Sequence, residues 1–220
     1  MVFNLNKVIF KILIVSIIIL NSQSFAAELI GDIQPKLSGD ALIHALQKGG
    51  YIIYFRHGAT GKRGEKNVMP DKISDCSIQR NLSDAGVEQT KAIGKAIKKL
   101  AIPINEVYSS PYCRCMDTAM NIFGKATKSD HLYFAIHVKK SERKPITEKL
   151  LKMLATPPPA GVNTAIVSHT ANLREAVNIW PKPEGVAHIF KPEKNQQFSY
   201  IGVIQPDEWL YLSNTTEKLR

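Results

Sequence analysis

The sequence predicts an α/β protein in three layers, with helices on both faces of a mostly parallel central sheet. Apolar runs of strand length alternate with segments of helical periodicity along the chain, which is the order that builds such a sheet. Two of the runs, at 51–55 and 164–168, are almost continuously apolar, as expected for strands that are buried on both faces. The 220 residues, of which 44% are hydrophobic, suffice for one core.

The first 26 residues form a separate segment. Lys7 and Lys11 precede an apolar run at 12–20, and Ser24-Phe25-Ala26 places small residues three before and directly before a cleavage point. This pattern predicts a signal peptide at 1–26 that is cut near Ala26, and a single domain at 27–220. The alternative is an uncleaved membrane anchor, for which the run is shorter than the roughly 20 residues of a span. The expected location is therefore the periplasm or the secreted fraction.

The remaining elements follow in alternating order. In the first half we expect a helix at 37–47, a strand at 51–55, a long polar loop at 59–80 and a helix that Ser83 caps and that ends near Leu100. A short strand at 106–109 and a helix from Pro111 to about Phe123 come next. The second half predicts strands at 132–136 and 164–168, helices at 146–154 and 170–178, a hairpin of 186–190 with 198–204, and an edge segment at 209–212.

Charge and cysteine content limit the classes of partner. The full chain carries 29 basic and 19 acidic residues, and removal of 1–26 leaves 27 against 19, or +8. This balance favours anionic partners, namely a small phosphorylated substrate and a peripheral contact with an anionic membrane surface. No helix-turn-helix, zinc-finger or aromatic-basic pattern indicates nucleic acid. In an oxidising compartment we expect Cys76 to pair with either Cys113 or Cys115, since these two are too close in sequence to bridge each other.

Three polar motifs each follow directly on a predicted strand. They are Arg56-His57-Gly58, the stretch 109–114 (Ser-Ser-Pro-Tyr-Cys-Arg), and Ser168-His169-Thr170. Ligands of open α/β sheets gather outside the carboxyl ends of the strands. The three motifs contribute two arginines and two histidines, which predicts a cationic pocket for a phosphate dianion. The histidines and cysteines are scattered, so neither a metal nor another cofactor is expected.

The residue types suit phosphoryl transfer. A neutral imidazole, here His57, can attack phosphorus and form a covalent intermediate. Arg56 and Arg114 can each give paired hydrogen bonds to the phosphoryl oxygens, and His169 can donate another. Gly58 would allow a close backbone approach beside the nucleophile.

The motifs also occur in the order of a known family. The matching residues are Arg56-His57-Gly58, 80–86 (Arg-Asn-Leu-Ser-Asp-Ala-Gly) with Gln89, Ser109-Ser110-Pro111 with Arg114 and Thr118-Ala119, and Ser168-His169. This set resembles the histidine phosphatase superfamily, the phosphoglycerate-mutase-like proteins, and within it the smaller branch. The resemblance implies the phosphoglycerate-mutase-like fold, His57 as the phosphorylated nucleophile, and Arg56, Arg114 and His169 as the phosphate pocket.

One feature of the smaller branch is missing. Its members often carry a proton-donating Glu in a distinctive stretch, which this sequence lacks. Glu142 stands at about the corresponding point, and Glu65, Asp71 and Asp75 in the long loop are alternatives. Some members that act on phosphohistidine manage without such an acid.

These observations define the expected function. We predict a metal-independent phosphomonoesterase acting through a phosphohistidine on His57, on a phosphorylated sugar or envelope glycolipid. We expect Gly58, Thr60, Arg80 and Thr170 to contact the substrate. The alternative is a non-catalytic phospholigand-binding protein of the same fold. The sequence leaves the oligomeric state open.

Overall fold

A computed structural model describes residues 33–61, Val68 and residues 70–215. The predicted signal peptide at 1–26 and Glu65 lie outside the described residues, so the cleavage near Ala26 and the domain bounds 27–220 stay predictions.

The centre of the fold is one six-stranded sheet. Its strands are β1 Ile52–Arg56, β2 Ile104–Ser109, β3 Thr127–Lys128, β4 Asn163–Ser168, β5 Ala187–Pro192 and β6 Phe198–Ile204. Across the sheet the order is β3-β2-β4-β1-β5-β6, and the first four strands in this order are mutually parallel. β5 and β6 are antiparallel and form the predicted hairpin. The α/β fold class with a mostly parallel sheet is thereby confirmed.

Helices cover both faces of this sheet. They are α1 Gly39–Lys48, α2 Asp84–Lys99, α3 Cys113–Phe123, α4 Lys140–Leu154, α5 Thr170–Val177 and α6 Glu208–Thr215. Short 3-10 turns occupy Pro70–Lys72, Cys76–Ile78, Asp130–Leu132, Ala135–His137 and Lys194–Gln196. The Ser83 hydroxyl accepts from Gly86 N and so caps α2, as the sequence predicted. Within the described residues, no helix combines the length and the apolar character needed to cross a bilayer.

The two faces of the sheet bury separate apolar clusters. Alternate residues of β1 point to opposite sides, so that Ile53 and Phe55 pack with α1, α2, α3 and α6, while Ile52 and Tyr54 pack with α4 and α5. Because both faces of β1 and β4 are covered, these strands are buried along nearly their whole length. This arrangement leaves the carboxyl ends of the central strands as the place where polar side chains gather.

The predicted strand at 132–136 is wrong. The chain there forms two 3-10 turns, and the edge strand β3 comes earlier. The Asn172 side chain takes over the backbone hydrogen bonding, because its amide accepts from Ala135 N at 3.2 Å and donates to Tyr133 O at 2.8 Å. Because the Asn172 side chain provides these hydrogen bonds, the backbone does not need a neighbouring strand. The apolar residues Tyr133 and Phe134 lie instead near the carboxyl ends of the central strands.

The predicted edge segment at 209–212 is also wrong, because these residues lie in helix α6. Trp209 and Leu212 are three residues apart and therefore share one face of the helix. Both are buried, and the Trp209 ring stacks on Phe55 with 6.0 Å between ring centroids. Burial against the sheet decides in favour of a helix where the short apolar run alone is ambiguous.

Candidate active site

The first residues after the central strands meet at one edge of the sheet. Arg56, which ends β1, lies beside Ser168, which ends β4. The pairing continues past the strands, since His57 N donates to Ser168 O at 3.0 Å and Ser110 N donates to Val167 O at 2.9 Å. The three sequence motifs are thereby brought together, as expected for parallel neighbours.

His57 is buried and neutral. Only 2% of the residue is exposed, and its Nδ1–H donates to Gly58 O at 3.0 Å. Because a carbonyl oxygen only accepts, the ring proton lies on Nδ1 and the lone pair on Nε2. Burial, and then the positive charge of Arg114, hold the pKa of His57 well below its ordinary value of 6.5. The imidazole therefore has the protonation state that a nucleophile requires.

His169 is held by two of its neighbours. Arg114 Nη2 donates to His169 Nδ1 at 3.1 Å, so the ring proton lies on Nε2, which donates to Ser110 Oγ at 2.8 Å. Burial and then Arg114 lower the pKa of His169 well below 6.5. Its ring centroid is 5.6 Å from that of His57. His169 and Arg114 thus lie beside His57 in one buried polar cluster.

Aromatic side chains enclose the Arg114 guanidinium, which is fully buried. Its central carbon lies 4.8 Å from the Tyr112 ring centroid and 5.3 Å from that of Phe134, within cation–π range. Phe134 also stacks on His169 at 4.4 Å. Sequence reasoning missed both aromatic residues. Tyr112 could have been noticed inside the 109–114 motif, whereas Phe134 was assigned to a strand that does not form.

Glu184 is a third residue near the pocket that sequence reasoning missed. Its carboxylate accepts from Arg56 Nη2 at 3.1 Å, and Arg80 Nη2 lies 3.7 Å away. Thr60 donates to it twice, from its backbone N and from Oγ1, both at 2.9 Å. Arg56, Thr60 and Arg80 are therefore gathered around one carboxylate. Glu184 stands in a Pro-Lys-Pro-Glu-Gly stretch without any recognisable motif, and only the tertiary structure places it here.

Gly58 is required by helix packing. A Cβ at this position would lie 2.5 Å from Thr90 Cγ2, and a Cβ at Gly86 would lie 1.9 Å from Ala59 O. The loop after β1, which carries His57, and the start of α2 therefore touch backbone to backbone. Gly58 N also donates to Thr118 Oγ1 at 2.9 Å. The close approach expected of Gly58 is thus an approach to α2, and its contact with substrate stays a prediction.

A family model matches the part of the chain that carries most of these residues. Residues 52–132 fit the model of the histidine phosphatase superfamily, branch 1. The match covers less than half of the chain, so the similarity to this family holds for that range alone. The matched range contains His57, Arg80 and Arg114, while His169 and Glu184 lie beyond it.

Solved structures share this fold. The protein histidine phosphatase SixA in complex with tungstate is 12% identical with a TM-score of 0.50, and the match covers 72% of this chain and 98% of that one. A proposed α-ribazole-5′-P phosphatase from Escherichia coli K-12 is 12% identical with a TM-score of 0.54, over 72% and 98% of the two chains. At such identity the likeness shows the fold alone. Among curated proteins, none matches this chain.

Not every site residue expected from the sequence lies at the pocket. Glu142 is exposed in the first turn of α4, and its described hydrogen bond runs from its own backbone N to Lys139 O. Asp71 and Asp75 are exposed, and hydrogen bonds from Ser77 lower the pKa of Asp75. Thr170 is half-buried as the first residue of α5. No described contact joins these residues to His57, so their roles stay predictions.

The disulfide joins Cys76 to Cys113, which decides between the two partners that the sequence left open. Cys113 is the first residue of α3 and directly precedes Arg114. Gln79 reinforces this connection, because its Oε1 accepts from Cys113 N at 2.9 Å and its Nε2 donates to Ile73 O at 2.7 Å. The long loop is thus fastened to the helix that carries the buried arginine.

Replacing Cys76 and Cys113 together with serine should lower the free energy of unfolding. The disulfide closes a loop over a sequence separation of 37, for which the entropy of the unfolded chain gives about 4 kcal/mol. Urea denaturation measures this difference. Reductant should weaken the wild-type protein by a similar amount and leave the double variant unchanged. Equal stability of the variant and the oxidised wild type would show that the disulfide adds nothing.

The fold should lose stability as the pH falls below 6.5. His57, His169 and His188 are buried with lowered pKa values, that of His188 reaching about 4 because of burial. Below 6.5 the unfolded chain binds protons that the folded chain excludes, and the cost is about 1.4 kcal/mol for each such histidine at pH 5.5. Urea denaturation between pH 7.5 and 5.5 measures it. His188→Asn should make the pH dependence shallower, and a flat wild-type profile would contradict the assignment.

No group of three or more His, Cys, Asp or Glu residues is placed to hold a metal ion in the part of the chain that the structure describes.

Proposed function

We propose that the protein is a phosphomonoesterase that works through a phosphohistidine intermediate on His57. The observation that carries the proposal is the neutral tautomer of this residue. Its Nδ1–H is bound by Gly58 O, so the Nε2 lone pair is available beside two buried partners, Arg114 and His169. The match of residues 52–132 to the histidine phosphatase family model and the phosphatases that share the fold support the same proposal.

The chemical steps follow from this arrangement. In the first step Nε2 of His57 attacks phosphorus, the bond from phosphorus to the ester oxygen breaks, and the leaving alkoxide takes a proton from an acid or from solvent. In the second step water attacks the phosphohistidine, the bond from phosphorus to Nε2 breaks, and phosphate and one proton are released while the neutral imidazole is restored. The charge on the phosphoryl oxygens changes little during transfer, so catalysis depends mainly on positioning and stabilising these oxygens. The fixed Arg114 guanidinium is suited to both tasks.

The leaving group decides how demanding the first step is. Glu142, the acid expected from the sequence, is exposed and is not placed at the pocket by any described contact. An aryl phosphate releases a phenolate that needs no proton donor, so it tests the nucleophile independently of the acid. A sugar phosphate releases a poorer leaving group and reports on the acid as well.

The substrate and the location belong to the same proposal. We propose a phosphorylated sugar or envelope glycolipid as the substrate, acted on in the periplasm or outside the cell. The disulfide Cys76–Cys113 suits an oxidising compartment, and the predicted signal peptide points the same way. The basic balance of the chain favours phosphorylated ligands and a peripheral contact with an anionic membrane surface.

The direct test is to trap the intermediate. The purified chain is mixed with an aryl phosphate, quenched in alkali, digested, and examined by mass spectrometry for a phosphate on the peptide that contains His57. We expect phosphate on this histidine, lost on brief exposure to acid as phosphoramidates are. Turnover without a phosphorylated His57 peptide would overturn the covalent scheme. No turnover of any phosphoester would favour the non-catalytic phospholigand-binding protein.

A further inference from the structure

We propose that Glu184 makes this site select phosphomonoesters whose remainder is neutral, such as sugars and other polyols, over those that carry a second anion next to the phosphate. The inference rests on the proposed function of the site as a phosphate pocket. It adds a residue that determines which phosphoesters bind.

The Glu184 carboxylate occupies the donors that a second anion would need. Its Oε1 accepts from Arg56 Nη2 at 3.1 Å and from Thr60 Oγ1 at 2.9 Å, and its Oε2 accepts from Thr60 N at 2.9 Å. The Arg80 guanidinium is 3.7 Å from Oε1. Guanidinium groups and backbone N–H groups are the usual partners of ligand carboxylates and phosphates. Here the Glu184 carboxylate of the protein is itself that anion, and it lies close to the loop after β1 that carries His57.

The position of Glu184 is fixed to that loop by the backbone. Gln89 bridges the two segments, because its Nε2 donates to Glu184 O at 3.2 Å and its Oε1 accepts from Ala59 N at 3.0 Å. Next in sequence, Gly185 N donates to His57 O at 2.9 Å. Gly185 has a φ of +87°, and a Cβ there would lie 2.8 Å from Gln89 Oε1. A carboxylate held this way does not move aside easily for a ligand.

The arginine side chains around His57 can bind a single phosphate. Arg114 is fully buried next to the two histidines. Arg56 uses its terminal nitrogens for Glu184 and Pro181 O, yet its buried Nε–H has no hydrogen-bond partner within the described residues. One phosphate dianion can therefore still be bound by both arginines. A second anion on the ligand would meet the Glu184 carboxylate, whose side chain is only 20% exposed and thus weakly screened.

A matched pair of ligands tests the selection. Glycerol 3-phosphate and 3-phosphoglycerate differ only in that a CH2OH group of the first is a carboxylate in the second. We expect the wild-type chain to bind glycerol 3-phosphate more tightly by roughly tenfold or more, because a second negative charge on the ligand is repelled by the Glu184 carboxylate. Titration calorimetry, or competition with aryl phosphate turnover, gives both dissociation constants.

Variants separate the charge of Glu184 from its structural contacts. Glu184→Gln should reduce the ratio of the two affinities to within about threefold, mainly through tighter binding of 3-phosphoglycerate. Glu184→Asp keeps the charge and should retain most of the wild-type ratio. Glu88→Gln removes an exposed carboxylate that is 3.2 Å from Lys91, and it serves as the matched control with an unchanged ratio. Thermal unfolding establishes that each variant is folded.

Several outcomes would overturn the proposal. Equal affinity of the wild type for both ligands would do so without any variant, even if Glu184→Gln failed to fold. An unchanged ratio in folded Glu184→Gln would do so as well. The result stays distinct from that of the proposed function, because calorimetry needs no turnover: a chain that hydrolyses no phosphoester but still prefers glycerol 3-phosphate loses the catalytic scheme and keeps this inference.

Discussion

Replacing His57 with alanine is expected to lower kcat for an aryl phosphate by roughly 10⁴-fold or more, the range seen when a covalent nucleophile is removed. The physical reason is that the neighbouring His169 cannot take over the attack, because its two ring nitrogens are engaged by Arg114 and by Ser110. Steady-state assays of the purified variant measure the loss, and the phosphorylated peptide should disappear with it.

Two controls make this result specific. His44 is exposed on α1, so His44→Ala should keep wild-type activity. The His57→Ala variant should still bind inorganic phosphate, since Arg56 and Arg114 remain, and calorimetry shows whether it does. Turnover that survives in His57→Ala would exclude His57 as the nucleophile. Loss of both turnover and phosphate binding, with a lowered unfolding temperature, would indicate a structural defect.

Replacing Arg114 with methionine should lower kcat/KM by about 10³-fold, comparable to the loss of a fixed donor to a developing charge. Methionine fills much of the space between Tyr112 and Phe134 but supplies neither charge nor donors. Arg114 is also the second largest cause of the lowered pKa of His57, after burial. The pKa of His57 should therefore rise in the variant, and activity should begin to fall at a higher pH than in the wild type.

The pH shift separates a role in the pocket from a role in folding. Arg114→Lys keeps a charge and should restore part of the pH profile, yet not the rate, because an ammonium group lacks the planar pair of donors. Arg174→Met removes a partly exposed arginine that pairs with Glu175, and it should leave kcat/KM unchanged. Wild-type kcat/KM in folded Arg114→Met would refute the proposed phosphate pocket.

The strand-end motifs show how far the sequence alone leads. Parallel strands that lie side by side bring their carboxyl ends to one edge, so the residues after 51–55, 106–109 and 164–168 had to meet if those strands formed. The structure places His57, Ser110 and His169 together on this basis. Long apolar runs mark such strands because both faces of each are covered.

The two wrong strand predictions both come from short apolar runs. The stretches 132–136 and 209–212 have the composition of strands, but neither length nor periodicity distinguishes a strand from a helix or a turn in so few residues. The first is decided by the Asn172 side chain, which supplies hydrogen bonds that a strand would have taken from a neighbour. The second is decided by the burial of Trp209 on Phe55. Both contacts join residues far apart in sequence.

By itself, the sequence determined the α/β class, the order of the main elements, and the set of strand-end residues from which the pocket is built. These depend on local periodicity and on the rule that parallel strands share one edge. Only the tertiary structure decided the protonated nitrogen of His57, the pairing of Cys76 with Cys113, and the placement of Glu184 beside Arg56 and Thr60. Each of these depends on the approach of groups from separate segments to within hydrogen-bonding or covalent distance, which no local pattern encodes.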